Sequence, residues 1–258
     1  MTLQTGPEGI LAVDKPSGWT SHDVVAVTRG VLGTKRIGHG GTLDPLATGL
    51  LPLLVGRATK VVELLHGAAK AYAAIVRFGH ETPTDDLEGT PTRAGAVPAG
   101  DDAWLDDQLD PFRGTITQVP PAYAAVKIGG RPAYARARAG ETTALPPREV
   151  TVERLSIASW RPPDLAVIVV CGRGTYIRAL ARDIGRATGS AAHLALLRRL
   201  AVGGLDAANA IRADAIRARG RDALLSALVP ADPDIAVLDD RYRTEPADKL
   251  LGDWGRRQ

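Results

Sequence analysis

A chain of 258 residues with 45% hydrophobic side chains can build a sizeable core, which excludes wholesale disorder. Its one cysteine, Cys171, excludes an intrachain disulfide and fits a reducing compartment, so a cytoplasmic location is expected. The net charge of +3 hides an uneven distribution: residues 111–220 hold 17 Lys+Arg against 7 Asp+Glu, a surplus of +10, and the rest of the chain carries −7. A basic middle segment fits a polyanionic partner, and it fits a solvated arginine-rich surface as well.

Residues 1–9 have neither a basic leader nor an apolar signal core. The most apolar stretch, Leu46 to Val55, is short and interrupted by Gly49 and Pro52, so no membrane segment is expected. Gly9 to Val13 reads as a short buried strand. Ser21 can cap a helix running to about Gly30, with Val24, Val25, Val27 and Val31 as its apolar side. Residues 33–49 form a glycine-rich loop, and a second short helix covers Ala58 to Leu65. Tyr72, Ala74, Val76 and Phe78 alternate with Ala73, Ile75 and Arg77, the periodicity of a strand. Residues 80–100, rich in Thr, Pro and Gly, read as a surface loop.

Further strands are expected at Gly114 to Gln118, Ala124 to Ile128, Val150 to Ser159 and Leu165 to Cys171. Gly129-Gly130 marks a tight turn. Helices are expected at Ala133 to Ala139, Tyr176 to Thr188 and around Arg221 to Leu228. This irregular interleaving predicts an α+β fold with a central mixed, largely antiparallel sheet flanked by helices and loops.

Two stretches carry chemistry. In Gly38-His39-Gly40-Gly41-Thr42-Leu43-Asp44-Pro45-Leu46-Ala47-Thr48-Gly49, Asp44 is the only acid between residues 24 and 62. Pro45 biases Asp44 toward an extended backbone, and the glycines permit close approach of backbone and ligand. A carboxylate in such apolar surroundings is costly unless paired. Asp44 can equally cap the turn that follows, since Asp-Pro often starts one. The second stretch, Cys171-Gly172-Arg173-Gly174-Thr175-Tyr176-Ile177-Arg178, leaves an apolar strand and opens a helix, with Thr175 placed to cap it. Arg178 then falls in the first turn, the unfavourable end of the helix dipole for a cation, and asks for an anionic partner unless it lies at the surface.

Other chemistries lack their spacing. Gly30 to Lys35 does not match a phosphate loop, and the five histidines (22, 39, 66, 80 and 193) have no zinc-type companions, so no metal is expected. Asp85, Asp86 and Glu88 lack the spacing of a calcium loop and read as solvated loop acids. No dinucleotide fingerprint follows a strand, and Cys171 reads as a buried small hydrophobe.

The residues resemble a family. GHGGTLDPLATGLLPLLVGRATK, from Gly38, is similar to the catalytic motif of the bacterial tRNA pseudouridine-55 synthases, the TruB family. Val13 to Ser21 (VDKPSGWTS) resembles that family's opening signature, Lys70-Ala71-Tyr72 the strand with its active-site tyrosine, and Gln118 to Lys127 (QVPPAYAAVK) the next block. GRGTYIRALARDIG, residues 172–185, resembles its arginine motif, and His193 to Val202 (HLALLRRLAV) the block after it. The motifs occur in the family's order across most of residues 9–203.

The resemblance implies a pseudouridine synthase fold and isomerisation of a T-loop uridine in tRNA. Asp44 would be the catalytic carboxylate, Arg178 its ion-pair partner and Tyr72 the platform for the flipped uracil. Tyr176 and Leu200 would line the base pocket, His39 would enter the T-loop, and Lys15 and Pro16 would support the floor. No cofactor is implied. The partner would be the tRNA T-arm, bound by a monomer with no obligate protein partner. Residues 1–230 would form the catalytic domain. Members usually end in a small RNA-binding domain of the PUA type, so residues 231–258 are expected to be a short tail, either a remnant of that domain or the part of it left by truncation. A non-catalytic RNA-binding protein would share the basic segment. A glycosidase would want a second acid, and none flanks Asp44 in sequence.

Overall fold

The computed structural model describes residues 6–124, 126–139, 141, 145–252 and 254. Ala125 of the Gln118–Lys127 block, the first five residues, and Asp253 with residues 255–258 of the tail lie outside the described residues.

Strands β1 (Gly9–Lys15), β2 (Ile37–His39), β3 (Thr48–Val55) and β4 (Lys70–Phe78) alternate with helices α1 (Ser21–Leu32) and α2 (Val62–Gly67). The middle of the chain holds β5 (His80–Glu81), β6 (Arg93–Ala94), α3 (Asp102–Leu109), β7 (Gly114–Gln118), β8 (Lys127–Ile128), β9 (Arg131–Pro132) and α4 (Ala133–Arg138). Then follow β10 (Arg148–Arg161), β11 (Asp164–Cys171), α5 (Ile177–Ala187), β12 (Ala192–Val202), β13 (Leu205–Asp206) and β14 (Ile211–Arg212). Helices α6 (Ile216–Ser226), α7 (Arg241–Thr244) and α8 (Ala247–Leu251) end the chain. The expected α+β class and mixed sheet are what the structure has. Among the described residues no helix is long and apolar enough to cross a membrane.

The chain divides into two compact units, Met1–Tyr72 with Leu197–Thr244, and Ala73–Leu196 with Glu245–Gln258. In the first, β1 pairs antiparallel with β3 from Gly9 opposite Val55 to Lys15 opposite Gly49, and parallel with β14. The other edge of β3 is shared. β2 pairs antiparallel with Leu53 to Val55, and β12 pairs parallel with Thr48 and Gly49. After Thr48, β3 is apolar and buried on both faces, as expected of a strand covered on both sides. Pro52 sits between the stretches paired with β2 and β12, where its missing N–H breaks no ladder bond. Its carbonyl accepts the Gly40 N–H at 2.8 Å. Ile10, Leu50, Leu54, Leu65 and Val202 form the core beside this sheet.

Helix α1 departs from expectation at its start. Thr20, not Ser21, is the N-cap, and it forms a reciprocal capping box with Asp23. Ser21 lies inside the first turn, where its hydroxyl is free for another task. Gly33 ends the helix in the left-handed conformation, at φ 65°.

In the second unit β10 pairs antiparallel with both β11 and β7. The expected loop at 80–100 contains the small hairpin β5–β6, and among the described residues of the expected strand Ala124–Ile128, Lys127–Ile128 form β8. Helix α3 was not anticipated because acids dominate its sequence. Its signals are Asp101, which caps the Trp104 N–H, and Leu105 and Leu109, one turn apart and both buried. The helix expected at Arg221 begins earlier, at Ile216, and Gly220 breaks its geometry at φ 74°.

Candidate active site

Asp44 lies in the connection from β2 to β3, and the backbone on both sides of it is pinned. Before it, Leu43 donates its N–H to Ser21 Oγ at 2.9 Å, and that hydroxyl donates to the Leu43 carbonyl at 3.1 Å. After it, the Pro45 carbonyl accepts the Gly18 N–H at 2.9 Å and Lys15 Nζ at 3.2 Å. Ala47 N–H closes the turn on the Asp44 carbonyl at 3.1 Å, and Ser17 Oγ donates to the Leu46 carbonyl at 3.3 Å. Leu43, Leu46 and Ala47 are buried, whereas Asp44 itself is half-buried. A loop fixed on both flanks is how a preorganised acid is built.

Lys15 is fully buried, and its ammonium also donates to the carbonyls of Pro16 at 2.9 Å and Trp19 at 2.7 Å. Burial lowers its pKa to about 8, while the negative charge of Asp44 pulls it back up and Arg199 pushes it down. All three ammonium protons are committed to backbone oxygens. Lys15 therefore ties the carbonyls of Pro16 and Trp19 to that of Pro45, at the far end of the Asp44 loop.

Arg199 is a component that the sequence reading left without a role. It is buried in β12, and it donates to the carbonyls of Leu50 at 2.7 Å and Gly41 at 2.9 Å. A guanidinium thus replaces a neighbouring strand at that edge of β3. The signal was strand alternation: of the pair Arg198-Arg199, one must face inward. Arg198, half-buried, makes a bidentate pair with Asp14 at 3.0 and 2.8 Å. The Arg199 backbone packs against Gly49, where an added Cβ would lie 2.2 Å from the Arg199 carbonyl oxygen.

His39 ends β2 and is half-buried. Burial, with Arg199 nearby, holds its imidazole below the usual range. Its Nδ1 is buried without a hydrogen-bond partner among the described residues. Tyr72 closes the first unit's part of β4 and is buried. Lys70, two residues earlier, donates to the carbonyls of Leu65, His66 and Ala68, which ends α2 and fixes where the strand begins. Leu200, half-buried, follows Arg199 in the same unit.

The second unit carries Tyr176 and Arg178. Tyr176, not Thr175, is the N-cap of α5. The buried Gln118 amide clamps its backbone, accepting its N–H at 2.8 Å and donating to its carbonyl at 3.1 Å. Thr175 instead donates to the Gly172 carbonyl at 3.2 Å and closes the preceding turn. Arg178, 5% exposed, donates to the carbonyls of Thr84 at 2.9 Å and Tyr123 at 3.1 Å, and lies 3.6 Å from Asp86 Oδ2. The anion that its position in the helix called for is therefore present. Asp85 and Asp86, expected to be solvated, are 6% and 2% exposed. The arginines of α5 make that burial tolerable, because a buried carboxylate persists only when paired.

The profile of the TruB family pseudouridylate synthase (N terminal domain) matches residues 29–177. A tRNA pseudouridine synthase B of Xanthomonas campestris pv. campestris (strain B100) is 50% identical over 192 residues, 74% of this chain and 62% of that protein. A tRNA pseudouridine synthase B of Leifsonia xyli subsp. xyli (strain CTCB07) is 44% identical over 242 residues, 91% of this chain and 78% of that protein. Among solved structures, one titled a Cbf5-Nop10-Gar1 complex aligns with a TM-score of 0.66 at 29% identity, covering 88% of this chain and 61% of that one. Another, an H/ACA RNP bound to a substrate RNA containing 2'-deoxyuridine, aligns at 0.63 and 27% identity, with the same coverage of both chains. The chain belongs to the TruB family of pseudouridylate synthases. It spans 62% of the length of the Xanthomonas campestris relatives it matches.

Proposed function

We propose that this protein isomerises the uridine at position 55 in the T-loop of tRNA to pseudouridine, with Asp44 as the catalytic carboxylate. One observation carries the assignment: inside the stretch matched by the family profile, the only acid of the glycine-rich loop sits half-exposed between two clamped peptides. The relatives' names, tRNA pseudouridine synthase B, support tRNA as the substrate.

The reaction detaches uracil from C1′, turns it and reattaches it through carbon 5, so no redox equivalent or group donor is consumed. Asp44 acts as nucleophile or base in that step. Extruding the base costs a few kcal/mol, and stacking on Tyr72 returns roughly 1–3 kcal/mol. Arg178 pairs with the Asp44 carboxylate, offsets its desolvation and fixes its orientation. Tyr176 and Leu200 line the base pocket. His39 enters the T-loop beside the extruded base. Lys15 and Pro16 hold the floor. Residues 1–230 form the catalytic region, and the protein works as a monomer in the cytosol, gripping the T-arm through its phosphates.

The test is incubation of the purified protein with unmodified tRNA, followed by nucleotide-resolution mapping of pseudouridine. Modification confined to position 55, lost in Asp44→Asn, is expected. Binding without modification would leave a non-catalytic RNA-binding role, and release of free uracil would point to hydrolysis.

A further inference from the structure

Helix α5 presents Arg178, Arg182 and Arg186 at four-residue intervals, hence on one face. The segment from Glu81 to Asp86 meets this face with three carboxylates. Glu81 takes Arg186 through two bonds of 2.9 and 2.7 Å, Asp85 takes Arg182 at 2.7 Å, and Asp86 lies 3.6 Å from Arg178. The middle rung, Asp85 with Arg182, is buried like the Asp86–Arg178 rung beside it, whereas the Arg186 side chain of the third is 55% exposed. Asp85 is also the only described non-glycine residue at positive φ, 58°, in the left-handed region that aspartate tolerates better than most side chains.

Connectivity gives this rung its meaning. The residues on either side of Asp85 are the ones that hold Arg178, Thr84 through its carbonyl and Asp86 through its carboxylate. Arg182 also donates to the Val119 carbonyl at 2.9 Å, on the segment whose Tyr123 carbonyl holds the other Arg178 nitrogen. Arg182 thus ties together both stretches of backbone that grip Arg178. We infer that Asp85, acting through Arg182, is a positioning residue that sets the Arg178 guanidinium for the reaction. This inference rests on the reading that Arg178 serves isomerisation.

The experiment compares kcat and KM for tRNA in Asp85→Asn, in Asp85→Asn/Arg182→Gln, and in Arg178→Lys. Asp85→Asn should lower kcat by roughly ten- to hundredfold, the scale of a small displacement of a catalytic group, with KM unchanged. The double variant loses the Val119 contact as well and should recover none of that loss; a return to the unaltered kcat would overturn the positioning role. Unaltered kcat in Asp85→Asn, with Arg178→Lys impaired, would overturn the positioning role alone. Full activity in Arg178→Lys would instead remove the underlying reading. Should Asp85→Asn fail to fold, Arg182→Lys decides: it keeps the charge facing Asp85 but cannot also reach Val119, so kcat should fall, and undiminished kcat would reject the inference.

Discussion

Ser21 Oγ and the Leu43 peptide satisfy each other, the hydroxyl accepting the N–H at 2.9 Å and donating to the carbonyl at 3.1 Å. The residue next along the chain is Asp44. Ser21→Ala leaves two buried backbone groups without partners, at about 1–3 kcal/mol. Chemical denaturation should register that loss, and single-turnover kinetics should show slower pseudouridine formation, because the carboxylate loses one of its two fixed flanks. Activity and stability both equal to the unaltered protein would show that the clamp does not matter.

Asp44→Asn preserves shape and removes the charge. Pseudouridine formation should fall by roughly a thousandfold or more, as expected when a group engaged in the covalent step is lost, while tRNA affinity and the melting midpoint hold. Turnover near normal would refute the proposed chemistry.

Lys15 makes a specific statement about pH. Its folded pKa, about 8, lies below its ordinary value of 10.5. Between these limits the unfolded chain binds a proton that the folded chain does not, so this residue's contribution to stability rises with pH through that window. Below pH 8 burial of the charge opposes folding in full. The unfolding free energy of the unaltered protein minus that of Lys15→Met should therefore climb by roughly 1.4 kcal/mol per pH unit from about pH 8 to 10.5. A difference that stays flat over that range would show that Lys15 titrates normally.

Gly49 pairs with Arg199 in β12 and with Lys15 in β1. Its φ is 97°, and a Cβ would sit 2.2 Å from the Arg199 carbonyl oxygen and 2.8 Å from its nitrogen. Both obstacles are backbone, so neither can rotate away. Gly49→Ala should lose about 3 kcal/mol or more, read as a drop in the melting midpoint. A change under about 1 kcal/mol would show that β12 shifts to make room.

Much of the local structure was written in the sequence. The capped helix at 21–32, the apolar run of β11, the Gly129-Gly130 turn and the order of the motifs depend on neighbours a few residues apart, which periodicity and turn chemistry report directly. Asp44 was singled out for the same reason, as the lone acid of a glycine-rich loop. Helix α3 was hidden by its acids, because only two leucines reach the core and composition outweighed their spacing. Strand β3 tolerates Pro52 because the proline falls between the residues that pair with β2 and those that pair with β12.

By itself the sequence determined the α+β class, the loop that carries the acid and the placing of an arginine in the first turn of α5. Only the tertiary structure decided what holds them. Lys15 beneath Pro45, Ser21 on Leu43, Arg199 on Gly41 and Asp85 on Arg182 bridge 30, 22, 158 and 97 residues respectively. Pattern rules reach across one strand or one helical turn. A buried charge finds its partner wherever the fold brings one near, so whether Asp85 would be a solvated loop acid or one half of a buried ion pair was settled only when α5 packed against it.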